Sequence, residues 1–261
     1  MKILAFDIGT KTLSYCLVDM NDARDVASIP CDDIATSIYE WETLDIHAEA
    51  GRTKAAKPTM QEDCEMAIHA IDKRAANFWG YDLNNIIIEQ QPSGGRNAQS
   101  SVRMKVVSHA LHAYFYTQQL HGEDQTRVPI TFVSPSSKLV GLDYEETEAD
   151  AAARKAGDRT AGGKKYRANK LHAVKMTAKL LEKMDDTDTP EGRRAHAARV
   201  TFAGATPKQD DISDAFMLAY AFGRKELEKV RQKQLKEMEK VRKRKLKDEE
   251  KAAKRNKVSS S

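Results

Sequence analysis

The sequence predicts an α/β protein, a sheet of five strands flanked by helices, followed by a basic and highly charged C-terminal tail. Three observations carry this. Lys2 to Asp19 reads as two β-rich runs on either side of Ile8-Gly9-Thr10-Lys11, whose turn chemistry predicts a tight antiparallel hairpin. Two short apolar runs follow later, Asn85 to Glu89 and Pro129 to Val133, and the first is uninterrupted, as in a strand buried on both faces. Between and after them apolar residues return every three or four positions, the period of helices laid on a sheet.

Taken in order, the hairpin is followed by Ser37 to Ile46, which alternates apolar and polar and predicts the third strand of a meander. Gly51 to Pro58 is basic and turn-like. Thr59 is placed to cap a helix from Met60 that ends before Gly80, with Cys64, Ala67, Ile68, Ile71, Ala75 and Phe78 on its buried side. After the strand ending at Glu89, Gln90 to Asn97 is a polar, glycine-containing loop. A helix from Ala98 to Leu120 is expected to turn Val102, Val106, Ala110, Leu111 and Ala113 inward, with His109 and His112 as ordinary partly buried histidines. The strand ending at Val133 leaves through the turn Ser134 to Lys138. Residues 143–165 have little apolar content and are expected to be a mobile insert. A helix follows from Tyr166 to Met184. Residues 185–208 read as loop, with Arg193, Arg194 and Arg199 as candidate phosphate contacts, and Asp211 to Gly223 as the last core helix.

The chain divides on composition into a domain of residues 1–223 and a tail of residues 224–261. Arg224 to Lys257 carries 16 basic and 7 acidic residues, or +9, and the remainder carries 27 and 32, or −5. The globular part is therefore mildly acidic, and nucleic acid would have to meet local basic patches. The tail's apolar positions keep no heptad, so a solvated helix is expected, with Lys240 to Lys247 as a phosphate-binding or nuclear import run. Cys16, Cys31 and Cys64 form no Cys-x-x-Cys pattern and are expected to be reduced thiols. No apolar run approaches membrane-spanning length and none reads as a secretory signal, which predicts a soluble, intracellular protein without a membrane partner.

The chemistry is expected in the acids. Asp7 ends the first strand, Glu89 ends the fourth, and Asp211 and Asp214, three apart, share one face of a late helix. Carboxylates from separate elements suit hard divalent cations, which take oxygen ligands. In two-metal phosphoryl transfer one such ion activates water and the other stabilises the leaving oxygen.

Asp7 before Ile-Gly-Thr, Glu89 before two glutamines, and Lys208-Gln209-Asp210-Asp211-Ile212-Ser213-Asp214-Ala215 resemble, in this order, the RNase H-like Holliday-junction resolvases. The likeness is nearer to the poxvirus and mitochondrial branch than to the RuvC family, and it covers residues 1–223. It implies an RNase H-like five-stranded mixed sheet, a three-stranded antiparallel meander plus two parallel strands, flanked by helices. It further implies a homodimer and a magnesium-dependent endodeoxyribonuclease that cuts four-way DNA junctions in pairs, with two ions per site and manganese as a substitute. On this resemblance Asp7, Glu89, Asp211 and Asp214 are the metal ligands, and Lys138 and Lys170 stand near the scissile phosphate. Gln90, Gln91, Gly94, Gly95, Arg96 and Lys105 contact DNA. Pro92-Ser93 stands where the RuvC branch has an aromatic wedge. The nucleus or a cytoplasmic viral replication site is the implied location.

Other readings stay open. Asp-x-Gly-Thr also opens the actin and sugar-kinase superfamily, although the chain lacks the second domain and second glycine-rich phosphate loop of that fold. An RNase H-like nuclease for RNA–DNA hybrids would use the same acids, and a non-catalytic junction-binding protein would keep only the fold.

Overall fold

The computed structural model describes residues 1–20, 36–52, 58–91, 98–122, 127–139, 161–185, 188–205 and 209–258, with backbone alone at 98–99, 161–168 and 250–258. Two compact units are distinguished, one reaching Gly223 and the other taking in the chain from Arg224.

β1 (Lys2–Ile8) and β2 (Thr12–Met20) form the hairpin, Ile8 standing opposite Leu13. Its turn closes with the Gly9 N–H donating to the Thr12 carbonyl at 2.8 Å. A Cβ on Gly9 would lie 2.7 Å from Thr12 Oγ1, so the approach demands glycine. β3 (Thr36–Asp45) pairs antiparallel with β2, β4 (Asn85–Glu89) runs parallel to β1, and β5 (Ile130–Val133) runs parallel to β4. The resulting order is β3-β2-β1-β4-β5, the mixed sheet expected.

Strand alternation sends side chains to two different environments. Leu4, Phe6 and Ile8 of β1, with Ile86 and Ile88 of β4, join a core closed by α2 (Met60–Trp79) and α3 (Ala98–His121). Thr59 caps α2 in a reciprocal box with Glu62, which satisfies two of the N–H groups a helix start leaves unpaired. On the other face lie Ile3, Ala5 and Asp7, and the Trp41 ring packs there on Phe202 and Phe216, both at 5.6 Å between centroids. Phe202 belongs to α5 (Pro190–Gly204) and Phe216 to the start of α6 (Gln209–Val258).

Five elements differ from expectation. A one-turn helix, α1 (Ile46–Glu49), follows β3 because Asp45 accepts from the His47 and Ala48 amides. In α3 the buried apolar residues are Val107, Leu111 and Phe115, while Val102, Val106 and Ala113 are exposed. Both sides of that helix carry apolar residues, so spacing alone did not separate them. α4 (Ala161–Met184) begins inside the expected insert, whose residues 143–160 lie outside the described residues. Residues 190–204, expected as loop, form α5. Thr189 accepts from the Gly192 amide and Pro190 opens the first turn, a strong start signal in an alanine-rich stretch. Finally, α6 does not stop at Gly223 but continues to Val258, with Val230, Leu235, Met238, Val241 and Leu246 exposed.

Candidate active site

The parity that buries Ile87 against the second face also delivers Glu89 there, and the register pairing Phe6 with Ile88 brings Asp7 beside Glu89 one residue later. β5 then leads into a 3-10 helix (Pro135–Leu139) that carries Lys138 over the same strand ends. Trp41 sets the fourth side. Its Nε1 donates to the Ile212 carbonyl at 2.7 Å, which fixes the first turn of α6 and with it Asp211 and Asp214.

Lys138 Nζ stands 3.1 Å from Asp7, 2.9 Å from Glu89 and 3.3 Å from Asp214. Three carboxylates thus gather on one buried ammonium. Asp211 lies beside them, accepting from Thr12 Oγ1 at 3.2 Å, with Lys170 Nζ 3.7 Å away. Lys170 also pairs with Asp210. Gln91 is buried, and its Nε2 donates to the Ile8 carbonyl at 3.2 Å and reaches Glu89 at 3.5 Å.

The electrostatics follow from this crowding. Burial works to raise Asp7, but Lys138 and a hydrogen bond with Glu89 outweigh it and hold the carboxyl below its ordinary range. Burial, reinforced by the charge on Asp7, pushes Glu89 well up. The pair therefore holds one negative charge on Asp7 and favours a proton on Glu89. Asp214 is pushed up to about 6 by burial, against the pull of Lys138. Asp211 is raised by burial and by Asp210. Burial opposes the charge on Lys138, but Asp7, Glu89 and Asp214 keep it firmly protonated.

More carboxylates are collected here than two lysines neutralise, and burial, with the charge of neighbouring acids behind it, raises three of them. Every donor is a carboxylate oxygen, the chemistry of a hard divalent cation, so the residues fit such an ion. Among the described residues no three acidic, histidine or cysteine side chains stand in ligating arrangement about a common point. The carboxylates stand about the Lys138 ammonium instead, a cation in its own right.

All four expected acids and both expected lysines are thus brought together. Of the expected DNA contacts, Gln90 is exposed and Lys105 half-buried, whereas Gln91 turns inward to the site. Gly94, Gly95 and Arg96 lie outside the described residues. Arg193 donates to the Asp188 carbonyl at 3.4 Å, Arg194 lies over the Tyr39 ring at 4.4 Å and Arg199 pairs with Asp185 at 2.9 Å, so all three arginines offered to phosphate have partners within the chain. His109 and His112 pack on Phe132, 4.9 and 5.4 Å between centroids. Cys16 and Cys64 are free thiols, and Cys31 lies outside the described residues. Thr12 and Trp41 were missed as parts of the site, and Gln91, expected to contact DNA, instead reaches Glu89. Only Trp41, a large donor in a half-buried strand, carried any signal, since its N–H needs a partner when buried.

The model of the family described as mitochondrial resolvase Ydc2 / RNA splicing MRS1 matches residues 3–260. The chain belongs to this family. By family it stands among the junction-resolving nucleases, alongside an RNA splicing protein. Its fold is similar to that of the yeast mitochondrial Holliday junction resolvase Ydc2, 15% identical, with a TM-score of 0.53 over 88% of this chain and 81% of that one. Two further structures align: fowlpox virus resolvase with substrate Holliday junction DNA and T. thermophilus RuvC in complex with Holliday junction substrate. The first is 14% identical with a TM-score of 0.43, covering 88% and 99% of the two chains. The second is 11% identical with a TM-score of 0.46, covering 86% and 94%. No curated protein sequence matches the chain significantly. No helix among the described residues is long and apolar enough to cross a membrane.

Proposed function

We propose that the protein resolves four-way DNA junctions as a magnesium-dependent endodeoxyribonuclease, cutting two strands symmetrically by phosphodiester hydrolysis. The observation that carries this is the convergence of Asp7, Glu89 and Asp214 on one buried cation, with Asp211 beside them. Asp7, Glu89, Asp211 and Asp214 would hold two magnesium ions, for which manganese would substitute. When bound, the metal supplies an activated water and charge stabilisation at the leaving oxygen. Thr12 and Gln91 keep Asp211 and Glu89 oriented, a role that outer hydrogen bonds serve around metal ligands. Lys138 and Lys170 provide positive charge for the phosphoryl group as it becomes more negative. Gln90, Gly94, Gly95, Arg96 and Lys105 would meet the DNA backbone, the glycines permitting close approach.

Two copies of the chain would act together, one site for each strand. The basic run Lys240 to Lys247 suits work in the nucleus or at a cytoplasmic viral replication site, and the family's description adds the mitochondrion.

The test is direct. With magnesium, the purified protein is expected to cut a synthetic four-way junction at symmetric positions and to spare a linear duplex, an RNA–DNA hybrid and a folded RNA of similar length. Preferential cutting of the hybrid would replace this reading with a hybrid nuclease, and junction binding without cutting by the wild type would leave a binding protein. ATP hydrolysis with intact junctions would favour the kinase-like reading.

A further inference from the structure

Away from the carboxylate site a second pair of charges lies in the interior, where the first turns of α3 meet the start of α2. The Asp63 and Arg103 side chains are only 3 and 12% exposed. Arg103 Nε donates to Asp63 Oδ2 at 2.6 Å, and its Nη2 pairs with the same carboxylate. That Nη2 also donates to the Pro58 carbonyl at 2.5 Å and to the Thr59 carbonyl at 3.4 Å, at the cap of α2.

Stability does not account for this pair. Taking two charges out of water costs about as much as their attraction returns, and an apolar pair of similar volume is often as stable or more so. The balance is poorer here because Asp63 Oδ1 takes no hydrogen bond among the described residues, and His47 Nε2 beside it stands at 3.6 Å. What the pair adds is direction. Elsewhere the two helices give apolar side chains to one core, Met66, Ala67 and Ile71 from α2 and Val107, Leu111 and Phe115 from α3, and share a surface hydrogen bond from Tyr114 to Asp72 at 2.6 Å. Apolar contacts tolerate some sliding and rotation, whereas a guanidinium held to one carboxylate and two carbonyls fixes both.

We propose that Asp63 and Arg103 are positioning residues for junction binding: they set the register and rotation of the first turns of α3, and through them the stretch that runs from Glu89 to Lys105. This role rests on the proposed function, which gives that stretch to DNA. The stretch is tied at its start by Gln91, whose side chain donates to the Ile8 carbonyl, and at its end by Arg103. Lys105 follows Arg103 by two residues, about 200° round the helix, so holding Arg103 against α2 turns Lys105 away from it.

The test replaces the charged pair by an apolar one in the full chain. Asp63→Leu/Arg103→Met is expected to melt no lower than the wild type, while the amides of residues 102–106 exchange about tenfold faster or more and those of residues 110–120 are unchanged. With Glu89→Gln added to prevent cutting, the double variant should bind a synthetic four-way junction about tenfold more weakly, the cost of losing preorganisation. In the cutting-competent chain the loss should appear in KM and leave kcat nearly as it was, which a general loosening of the fold would not do. Arg103→Lys, which keeps the charge and loses the fork, is a second variant and should show the same changes in smaller measure. Junction affinity equal to the wild type in the folded double variant, a fall in kcat at unchanged KM, or unchanged exchange at the start of α3 overturns the proposal. Faster exchange in the variant of a chain whose wild type binds no junction would retire the junction reading and leave the register role standing.

Discussion

At the scale of single residues, Lys138 is the most exposed to test, because one ammonium stands among three buried acids. Removing one partner of a buried ion cluster leaves charge uncompensated, at a cost of about 3–5 kcal/mol. Lys138→Met is therefore expected to lower the melting temperature in chelator, and magnesium should recover more of it in the variant than in the wild type, since a bound ion stabilises the folded state in proportion to ln(1 + [L]/Kd). Equal magnesium shifts in both proteins would show that metal and ammonium do not compete for the same charge. The acids set the pH response. Asp214 titrates near 6 in the folded chain against an ordinary value of 3.8, so protons compete with metal below that point. Glu89, also held well up, must give up its proton to the metal as well, so metal affinity and cleavage should rise with pH through 6 and beyond. In metal-free protein the sign reverses for Asp214: the folded state holds the proton more tightly, so its contribution to stability grows as pH falls from 6 towards 4. Magnesium titrations by calorimetry at pH 5.5 and 7.5 check the first, and chelated melting curves the second. Asp7→Asn and Glu89→Gln should bind junctions and cut them at least about 10²-fold more slowly, while Thr12→Ala, which only orients Asp211, should lose about 10–100-fold.

At the scale of elements, the site depends on how α6 is seated on the sheet. Trp41 holds its first turn through the Ile212 carbonyl, and at Gly223 a Cβ would come within 2.1 Å of Met20 Sδ and 2.9 Å of Ile3 Cδ1. Gly223→Ala is therefore expected to destabilise by about 1–3 kcal/mol through overpacking, read as a lower urea midpoint at unchanged slope. Strands were legible in the sequence because each has a simple signature: β1 and β2 flank turn residues, β3 alternates, and β4 carries three isoleucines in a row. The four acids were legible as an ordered set: each alone is commonplace at a strand end or near the start of a helix, but Asp7 before Ile-Gly-Thr, Glu89 before two glutamines and the Asp211 and Asp214 pair, in that order, are not. The inward side of α3 was not, since apolar residues on both of its sides satisfy a three-four spacing equally well. α5 was passed over because its polar and small residues resemble a loop until Thr189-Pro190 is weighed as a start. Thr12 could not be picked out and Gln91 was offered to DNA rather than to the acids, because a hydroxyl after a turn and an amide after a strand are commonplace until their partners, 199 and 83 positions away in sequence, are known.

For the whole molecule the question is how an acidic catalytic domain takes hold of a polyanion. The body of the chain carries −5 and the tail from Arg224 carries +9, so long-range attraction to phosphate would have to come chiefly from the tail. Part of the tail's charge is answered within the helix: Lys229 pairs with Glu226, Lys240 with Glu237 and Lys243 with Glu239. Exposed pairs of this kind contribute little to stability and leave the cations accessible to a stronger anion. The expected role is sequence-independent binding, in which each cation that displaces a counterion steepens the salt dependence of affinity. Replacing Arg242, Arg244, Lys245 and Lys247 by glutamine should reduce the slope of log K against log salt by about 0.9 for each phosphate that the tail no longer neutralises. Cleavage at saturating enzyme should be nearly unchanged, because none of these residues belongs to the carboxylate cluster. Junction affinity measured between about 50 and about 200 mM salt, where this dependence is steep, decides the matter. An unchanged slope would assign the tail to something other than phosphate and leave DNA capture to the residues bordering the sheet ends.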